Sequence, residues 1–188
     1  VRRGAEFVIW PESSTPFSFE DPAASPEGDS TLRSLAAEVR VPILFGSDQV
    51  IRRNPPSQSE LYNAAFLLEP GGRTAAVYRK IHLVPFGEFF PFQQTITFVA
   101  PLVDRFIPFS AGTGPVMLPV GSHRASTAIC YEVVFPSLAR DAVAAGSELL
   151  TTVTNDGWYG RSSSPYQHFE MASMRAIAQS LLVEPMTP

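Results

Sequence analysis

The sequence predicts an α/β domain whose layers are built around a mixed β-sheet. Short apolar segments of β-strand character alternate with amphipathic segments of helical period, and two pairs of the apolar segments are joined by glycine-containing turns. The 188 residues fit one domain. Hydrophobic residues make up 45% of the chain and charged residues 17%, so a sizeable core can form.

Four strands and one helix are predicted in the first half of the chain. The strands are apolar runs rich in β-branched and aromatic residues, at residues 7–10, 41–46, 61–68 and 74–79. A proline ends the first strand, and Glu12 follows directly after it. Residues 13–29 are rich in proline, serine and acidic residues, which is typical of a loop. Ser30 or Thr31 then caps a predicted helix that ends at Arg40.

Two hairpins are predicted among the strands. Residues 61–68 and 74–79 are joined by a diglycine turn, and residues 116–120 pair with residues 125–130 across Gly121. Lys80 therefore follows the second arm of the first hairpin. Cys130 ends the second arm of the other hairpin.

The rest of the chain is predicted to contain two helices and one strand. Pro136 begins a helix that ends at Gly146, since proline suits a helix start and glycine a helix end. Residues 149–154 form another buried strand. Ser164 is the predicted N-cap of the last helix, with Pro165 as its first helical residue.

Charge and composition argue against several classes of function. The net charge is −4 and the Lys and Arg residues are scattered, so the sequence shows no basic patch of the kind that binds nucleic acid. The single cysteine cannot form an internal disulfide. The three histidines show no metal-ligand spacing among themselves or with Cys130, so we expect no metal and no other cofactor. No run of about 18 apolar residues exists that would span a bilayer, and no signal peptide is visible.

Three residues of complementary chemistry are predicted at strand ends: Glu12, Lys80 and Cys130. Strand ends converge on one edge of a sheet, where α/β folds commonly place their sites. Acyl transfer needs a nucleophile, a base, and a cation or donor for the oxyanion. A nearby ammonium also lowers the pKa of a thiol. Taken singly, each residue has an ordinary interpretation, as a core cysteine, a solvated lysine or a loop carboxylate.

The sequence around these three residues resembles the signatures of a known superfamily. The segments are VIWPES at Glu12, YRKIHLVPFGEFFPF at Lys80 and AICYEVVFP at Cys130. In the same order, they resemble the Glu-Lys-Cys signatures of the nitrilase, or carbon–nitrogen hydrolase, superfamily. Within it, HLVPFGEFFP, CYE and TNDGWYG…SPYQHFEMASMRA are most similar to the catalytic domain of the apolipoprotein N-acyltransferase family. The likeness extends from about Gly4 to Ala178.

This resemblance implies a nitrilase-like α-β-β-α sandwich with mixed β-sheets. It implies that Cys130 attacks a phospholipid acyl ester and carries the acyl chain as a thioester. The resemblance also implies that Glu12 is the general base for the thiol and the incoming amine, and that Lys80 stabilises the oxyanion. The implied acceptor is the N-terminal amine of a diacylglyceryl-cysteine apolipoprotein. The implied location is the bacterial inner membrane, with the catalytic domain on its extracytoplasmic side.

Further positions match residues that support the site in this family. Glu88 corresponds to a second glutamate beside the triad. Others correspond to positions near the nucleophile or the substrate entrance: Asn63, Tyr131, Glu132 and Trp158. Each also has a structural alternative, with the two glutamates as surface carboxylates, Asn63 at the end of a β-bridge and Trp158 in the core. If they are functional, two acids that flank a Lys and a Cys hold the ammonium and tune proton transfer. For His168 and Arg175 we expect capping or packing roles.

Residues 84–109 form a segment rich in phenylalanine and proline. It holds seven of the 14 phenylalanines. Its prolines prevent it from forming one regular element, so it either packs against the core or is exposed as an apolar, membrane-facing lid. A lid over the nucleophile suits acyl chains and excludes water from a thioester.

The family that the chain resembles has transmembrane helices on both sides of this domain, one earlier strand, and a further strand after the last helix. We therefore expect residues 1–188 to be one nitrilase-like domain that is truncated at both ends. Two alternatives remain at this point. One is a soluble amidase with the same triad and water as acceptor, and the other is an inactive fragment or binding module that keeps the motifs.

Overall fold

Two separate mixed β-sheets form the centre of the part of the chain that the computed structural model describes, residues 4–21, 23–91 and 108–183. The strands of sheet 1 are β1 (Val8–Ile9), β2 (Ile43–Ile51), β3 (Glu60–Leu68) and β4 (Thr74–Arg79). The strands of sheet 2 are β5 (Leu118–Val120), β6 (His123–Ile129) and β7 (Leu149–Val153). The helices are α1 (Pro26–Val39), α2 (Pro136–Ala144) and α3 (Ser164–Val183). Short 3₁₀ turns lie at Pro56–Gln58, Cys130–Val134 and Asp156–Tyr159.

Each sheet combines parallel and antiparallel pairing. In sheet 1, β1 runs parallel to β2, and β2, β3 and β4 form an antiparallel meander. In sheet 2, β5 and β6 form a hairpin and β7 runs parallel to β6. The predicted mixed character and both predicted hairpins are confirmed, and the strands divide between two sheets, as the implied α-β-β-α sandwich requires.

Both faces of sheet 1 are buried, because successive side chains of a strand point to opposite faces. One face packs on sheet 2 through a core of Leu44, Ala65, Leu67, Tyr78, Leu118, Ala125, Ile129, Cys130 and Val153. The other face packs on α1 through Phe19, Leu32, Ala36, Ile43, Phe45, Ala64, Phe66 and Leu68. Residues of β6, β7, α2 and α3 line a cavity of about 300 Å³, which places these helices over the outer face of sheet 2. The layers are therefore α-β-β-α.

Helix α1 begins earlier than the sequence analysis predicts. The N-cap is Ser25, whose hydroxyl accepts from the Gly28 amide, rather than Ser30 or Thr31. Pro26 occupies the first turn, where its fixed φ and missing N–H are tolerated, and two acidic residues lie beside it. The predicted loop over residues 13–29 is therefore wrong for its last four residues.

Strand β2 is longer than predicted, and α3 begins one residue earlier than predicted. The apolar run ends near Gly46, yet the strand continues to Ile51, because all nine of its residues pair with β3. Tertiary pairing thus overrides the polar residues at the end of this strand. The first residue of α3 is Ser164 rather than Pro165. Helix α2 begins at Pro136 as predicted, and Gly146 follows its end with φ of 94°.

Two predictions concern the membrane: the absence of a spanning segment, and a lid formed by the phenylalanine-rich segment. None of the helices in the described residues combines the length and the apolar character that a membrane-spanning segment needs. Residues 92–107, which make up most of the phenylalanine-rich segment predicted as a lid, lie outside the described residues.

Candidate active site

A row of polar side chains crosses sheet 1 on the face that packs against sheet 2. The strand register pairs Asp48 of β2 with Asn63 of β3. The amide of Lys80 donates to the Asn63 carbonyl at 2.9 Å, so Lys80 continues the row from the end of β4. Further along the same face, Leu44 and Tyr78 belong to the core between the sheets. At this end of the sheets the apolar core therefore gives way to a polar cluster.

Glu12 joins the cluster because the chain after β1 passes very close to β2. The Trp10 amide donates to the Leu44 carbonyl at 2.8 Å, and the Gly46 amide donates to the Pro11 carbonyl at 3.1 Å. A Cβ on Gly46 would lie 2.5 Å from the Glu12 Cα, so this approach requires glycine. The Glu12 carboxylate is buried beside the polar row.

The Lys80 ammonium lies between two carboxylates. Its Nζ is 2.9 Å from Oε1 of Glu88 and 3.7 Å from Oε1 of Glu12, and the residue is only 1% exposed. The Asn63 amide nitrogen donates to both of these oxygens, at 2.7 Å to Glu12 and 2.9 Å to Glu88. The amides of Asn155 and Val84 donate to the second oxygens of Glu12 and Glu88. A buried ammonium is tolerated here because its charge is paired.

Cys130 stands at a sharp turn directly after β6. It opens the 3₁₀ turn Cys130–Val134 with φ of 50°, the left-handed region that costs a non-glycine residue about 1–3 kcal/mol and that clusters at functional sites. Its Sγ lies 3.5 Å from the hydroxyl of Tyr159. The thiol is buried from bulk solvent but lines a cavity.

Glu132 holds the two strand ends together. Its carboxylate is fully buried and accepts hydrogen bonds from the Tyr78 hydroxyl and from the amides of Ile81, His82 and Ile129, at 2.6–3.0 Å. It thereby ties the backbone after Lys80 to the turn at Cys130. Burial and the charge of Glu132 raise the pKa of Tyr78 above its usual range.

Glu88 and Glu132 were both expected to contact the Lys80 ammonium. Among the described residues, only Glu88 of the two does so. Among the described contacts, Glu132 has the Tyr78 hydroxyl and backbone amides as partners and not the ammonium. The alternative of two surface carboxylates is also wrong, since both side chains are largely buried. The physical reason is that Glu132 lies beneath the turn, where unpaired backbone amides require an acceptor.

One cavity of about 350 Å³ brings the predicted residues together. Glu12, Lys80 and Cys130 line it, and so do Asn63 and Glu88. Two residues that the sequence analysis did not single out, Asp48 and Tyr159, also line it. For Asp48, the available signal was that it is the only charged residue between Ile43 and Ile51. For Tyr159, the signal was its position in the TNDGWYG motif.

The remaining predicted residues surround the cavity. Trp158 lines it and is 78% exposed, so the core alternative for this side chain is wrong. Tyr131 is half-buried and packs edge-on against Phe135 at 5.3 Å, where it lines a neighbouring apolar cavity. Phe109 lines both cavities and so marks where they adjoin.

The contacts of His168 and Arg175 agree with the capping or packing roles expected for them. The Nδ1 of His168 lies 3.0 Å from an Asp156 carboxylate oxygen, and its ring packs edge-on against Tyr159 at 5.1 Å. The guanidinium of Arg175 donates to the carbonyl of Val133, at 3.1 Å, in the turn that begins at Cys130. Helix α3 therefore supports two elements that line the cavity.

The thiol pKa differs from the expectation based on the nearby ammonium. Burial raises the pKa of Cys130, and the negative charge of Glu12 raises it further. The Tyr159 hydroxyl, Lys80 and Thr154 act in the opposite direction but are outweighed. The thiol is therefore protonated at neutral pH, and it needs a base to become a nucleophile.

We expect the alkylation of Cys130 by iodoacetamide to rise with pH at a higher midpoint in the native protein than in urea. The thiolate is the reacting species, so a raised pKa moves the reactive range to higher pH. Trypsin releases residues 125–140 as one peptide, whose mass reports alkylation at this site alone. The Glu12→Gln variant should lower the native midpoint, because it removes a charge that raises the pKa. A native midpoint below the unfolded one would contradict the assigned electrostatics.

The fold and the cavity together define a class of protein. An α-β-β-α sandwich that places a cysteine, a lysine and a glutamate in one cavity at the junction of its two sheets has nitrilase-type architecture. The chain belongs to the family described as carbon-nitrogen hydrolase, whose model matches residues 1–183.

Two relatives are proteins named apolipoprotein N-acyltransferase. One, from Geobacter metallireducens, is 40% identical over 173 residues, which cover 92% of this chain and 32% of the relative. Another, from Chlorobaculum tepidum, is 32% identical over 191 residues, which cover 92% of this chain and 36% of the relative. The chain thus spans about a third of the length of these curated relatives.

A solved structure supports the fold. The carbon-nitrogen hydrolase from Helicobacter pylori G27 superposes with a TM-score of 0.64 at 20% sequence identity, over 93% of this chain and 58% of that one. At this identity the likeness concerns the fold alone. The predicted nitrilase-like sandwich is confirmed.

Proposed function

We propose that this chain is the catalytic part of an N-acyltransferase. The enzyme moves an acyl chain from a phospholipid, through a Cys130 thioester, to the N-terminal amine of a diacylglyceryl-cysteine apolipoprotein. The observation that carries the proposal is the shared cavity of Glu12, Lys80 and Cys130 in a chain 40% identical to a protein named apolipoprotein N-acyltransferase. The named relatives also motivate a membrane setting, the bacterial inner membrane, with the catalytic domain on its extracytoplasmic side.

In the first half-reaction, Glu12 takes the thiol proton while Sγ of Cys130 attacks the ester carbonyl carbon. A base is required because burial keeps the thiol protonated. The negative charge that develops on the carbonyl oxygen is stabilised by the Lys80 ammonium, which is buried and therefore weakly screened by bulk water. The tetrahedral intermediate collapses, the ester C–O bond breaks, and protonated Glu12 returns its proton to the departing lysophospholipid alcohol.

In the second half-reaction, the acceptor amine attacks the thioester carbonyl. Glu12 takes the proton that the amine loses as the C–N bond forms, and Lys80 again stabilises the oxyanion. The C–S bond then breaks, and Glu12 gives the proton to the leaving sulfur. The products are the amide and the free Cys130 thiol, so the cycle closes.

Glu88 and Asn63 are proposed to hold the two charged catalytic groups in place. Glu88 contacts the ammonium at 2.9 Å, and Asn63 bridges Glu88 to Glu12. These contacts fix the positions of groups that must act at short range. Tyr131 and Trp158 are proposed to lie at the substrate entrance, and the exposed indole of Trp158 provides an apolar surface there.

A soluble amidase is the second candidate function, favoured by the hydrolase name of the family. It would use the same three residues, with water in place of the amine. The two functions differ in the acyl donor, an ester of a phospholipid or a small amide. They therefore give different products from the same cysteine.

The proposal is tested by incubating the full-length gene product with phospholipid vesicles and analysing residues 125–140 by mass spectrometry. We expect this peptide to gain the mass of one acyl chain, and hydroxylamine to remove it, as a thioester requires. Heat-unfolded protein is the control and should gain nothing. An unmodified peptide from folded protein, together with ammonia release from a small amide, would establish the amidase instead.

A further inference from the structure

The cavity that holds Cys130 contains more negative than positive side chains. Among the described residues that line it, three are acidic, Glu12, Glu88 and Asp48, and one is a cation, Lys80. The ammonium of Lys80 lies within ion-pair distance of Glu12 and Glu88. Asp48 is therefore the one of these three carboxylates that has no ion pair with Lys80.

Of these three carboxylates, Asp48 is the one without a partner among the described residues. The oxygens of Glu12 and Glu88 accept from Asn63, from Lys80 and from backbone amides. No hydrogen bond or ion pair of the Asp48 carboxylate to another described residue occurs, although the residue is half-buried. A partly desolvated carboxylate without a partner is costly, and a cation would offset that cost.

The electrostatic surroundings of Asp48 point to the same conclusion. Burial raises the pKa of Asp48, and the charges of Glu12 and Glu88 raise it further. These neighbours destabilise the charged form of Asp48. A positive group beside it would therefore offset the repulsion among the three carboxylates. The same three charges repel a phosphate group, so the headgroup of a phospholipid donor is disfavoured at this wall of the cavity.

We infer that Asp48 binds the positively charged amine of the acyl acceptor and positions it beside Cys130, an inference that rests on the acyltransferase function proposed above. The register places Asp48 next to Asn63 in the polar row, on the same cavity as the nucleophile. The bound ammonium gives one proton to solvent before attack and a second to Glu12 as the C–N bond forms. Asp48 is thus a specificity residue that favours an amine over water.

The test measures acceptor binding to the unacylated protein, so that it does not depend on acyl transfer. The probe is a short peptide with an N-terminal S-alkylcysteine. The neutral control peptide is identical except for an acetyl group on the N-terminal amine. At about pH 6.5 the N-terminal amine is cationic. N-ethylmaleimide labels Cys130 in the full-length gene product, and the labelled fraction of residues 125–140 reports protection by the peptide.

In the wild-type protein, we expect the cationic peptide to slow labelling at a concentration about tenfold lower than the acetylated control peptide requires. Such a difference is typical of one charged contact. In the Asp48→Asn variant, the two peptides should protect at similar concentrations. The matched control is Asp141→Asn, which removes an exposed carboxylate of α2 outside the cavity and should behave as the wild type. Thermal unfolding of each variant shows that it is folded.

Equal protection of the wild-type protein by both peptides, or no protection by either, would overturn the role of Asp48. So would an Asp48→Asn variant that still distinguishes the peptides. The acyl adduct on residues 125–140 is measured separately, so its absence counts against the proposed acyltransferase and not against cation binding.

Discussion

Replacing Cys130 with serine is expected to lower the rate of the proposed acyl transfer by about 10⁴-fold or more. The serine hydroxyl is a far weaker acid than a thiol, and a carboxylate such as Glu12 is too weak a base to activate it. The substitution changes one atom, so the backbone of the turn and the hydrogen bond to Tyr159 can persist. The rate is measured as acyl-peptide formation with saturating donor and acceptor.

The control for this prediction is Ala128→Ser, which adds a hydroxyl to β6, the strand before Cys130, outside the cavity that Cys130 lines. That variant should retain most of the activity. A Cys130→Ser protein that kept more than about 1% of the wild-type rate would contradict this prediction, because loss of an efficient nucleophile costs several orders of magnitude.

Replacing Lys80 with methionine is expected to affect both stability and rate. The side chain lies between Glu12 and Glu88, and its removal leaves two buried carboxylates without their cation. Breaking such a buried pair costs about 3–5 kcal/mol of the free energy of unfolding. Loss of the proposed oxyanion partner is expected to lower the rate of the proposed acylation by about 10²–10³-fold. Urea unfolding and single-turnover acylation measure the two effects.

A double variant separates the two roles of Lys80. Lys80→Met with Glu88→Gln removes one of the unpaired charges, so it should regain part of the stability but none of the rate. Arg73→Met is the matched surface control, because Arg73 pairs with Glu69 while largely exposed, and we expect little change in stability. Recovery of the rate in the double variant would show that Lys80 acts only by neutralising Glu88.

Much of the fold could be predicted from local sequence. Both hairpins follow from apolar runs separated by glycine turns, and the start of α2 follows from Pro136. Local rules failed where long-range pairing decided the outcome. Strand β2 continues through Ser47 and Asp48 because β3 supplies a partner for each residue. The division of the strands between two sheets is likewise a property of tertiary packing.

The roles proposed for Glu12, Lys80 and Cys130 came from motifs, and their position at strand ends came from local pattern. The sequence does not reveal which faces of the two sheets pack against each other. Asp48 reaches the same cavity only through its register with Asn63. Glu132 becomes a structural link only because two distant strand ends both present amides to it.

By itself, the sequence determined the order of the elements, the α/β class and the identity of the three candidate catalytic residues, since these depend on neighbours along the chain. Only the tertiary structure decided the electrostatics of the cavity. The pKa of Cys130 is raised because burial and the charge of Glu12 outweigh the ammonium of Lys80. Desolvation and the distances between charges arise from the packing of distant segments, so no local pattern encodes them.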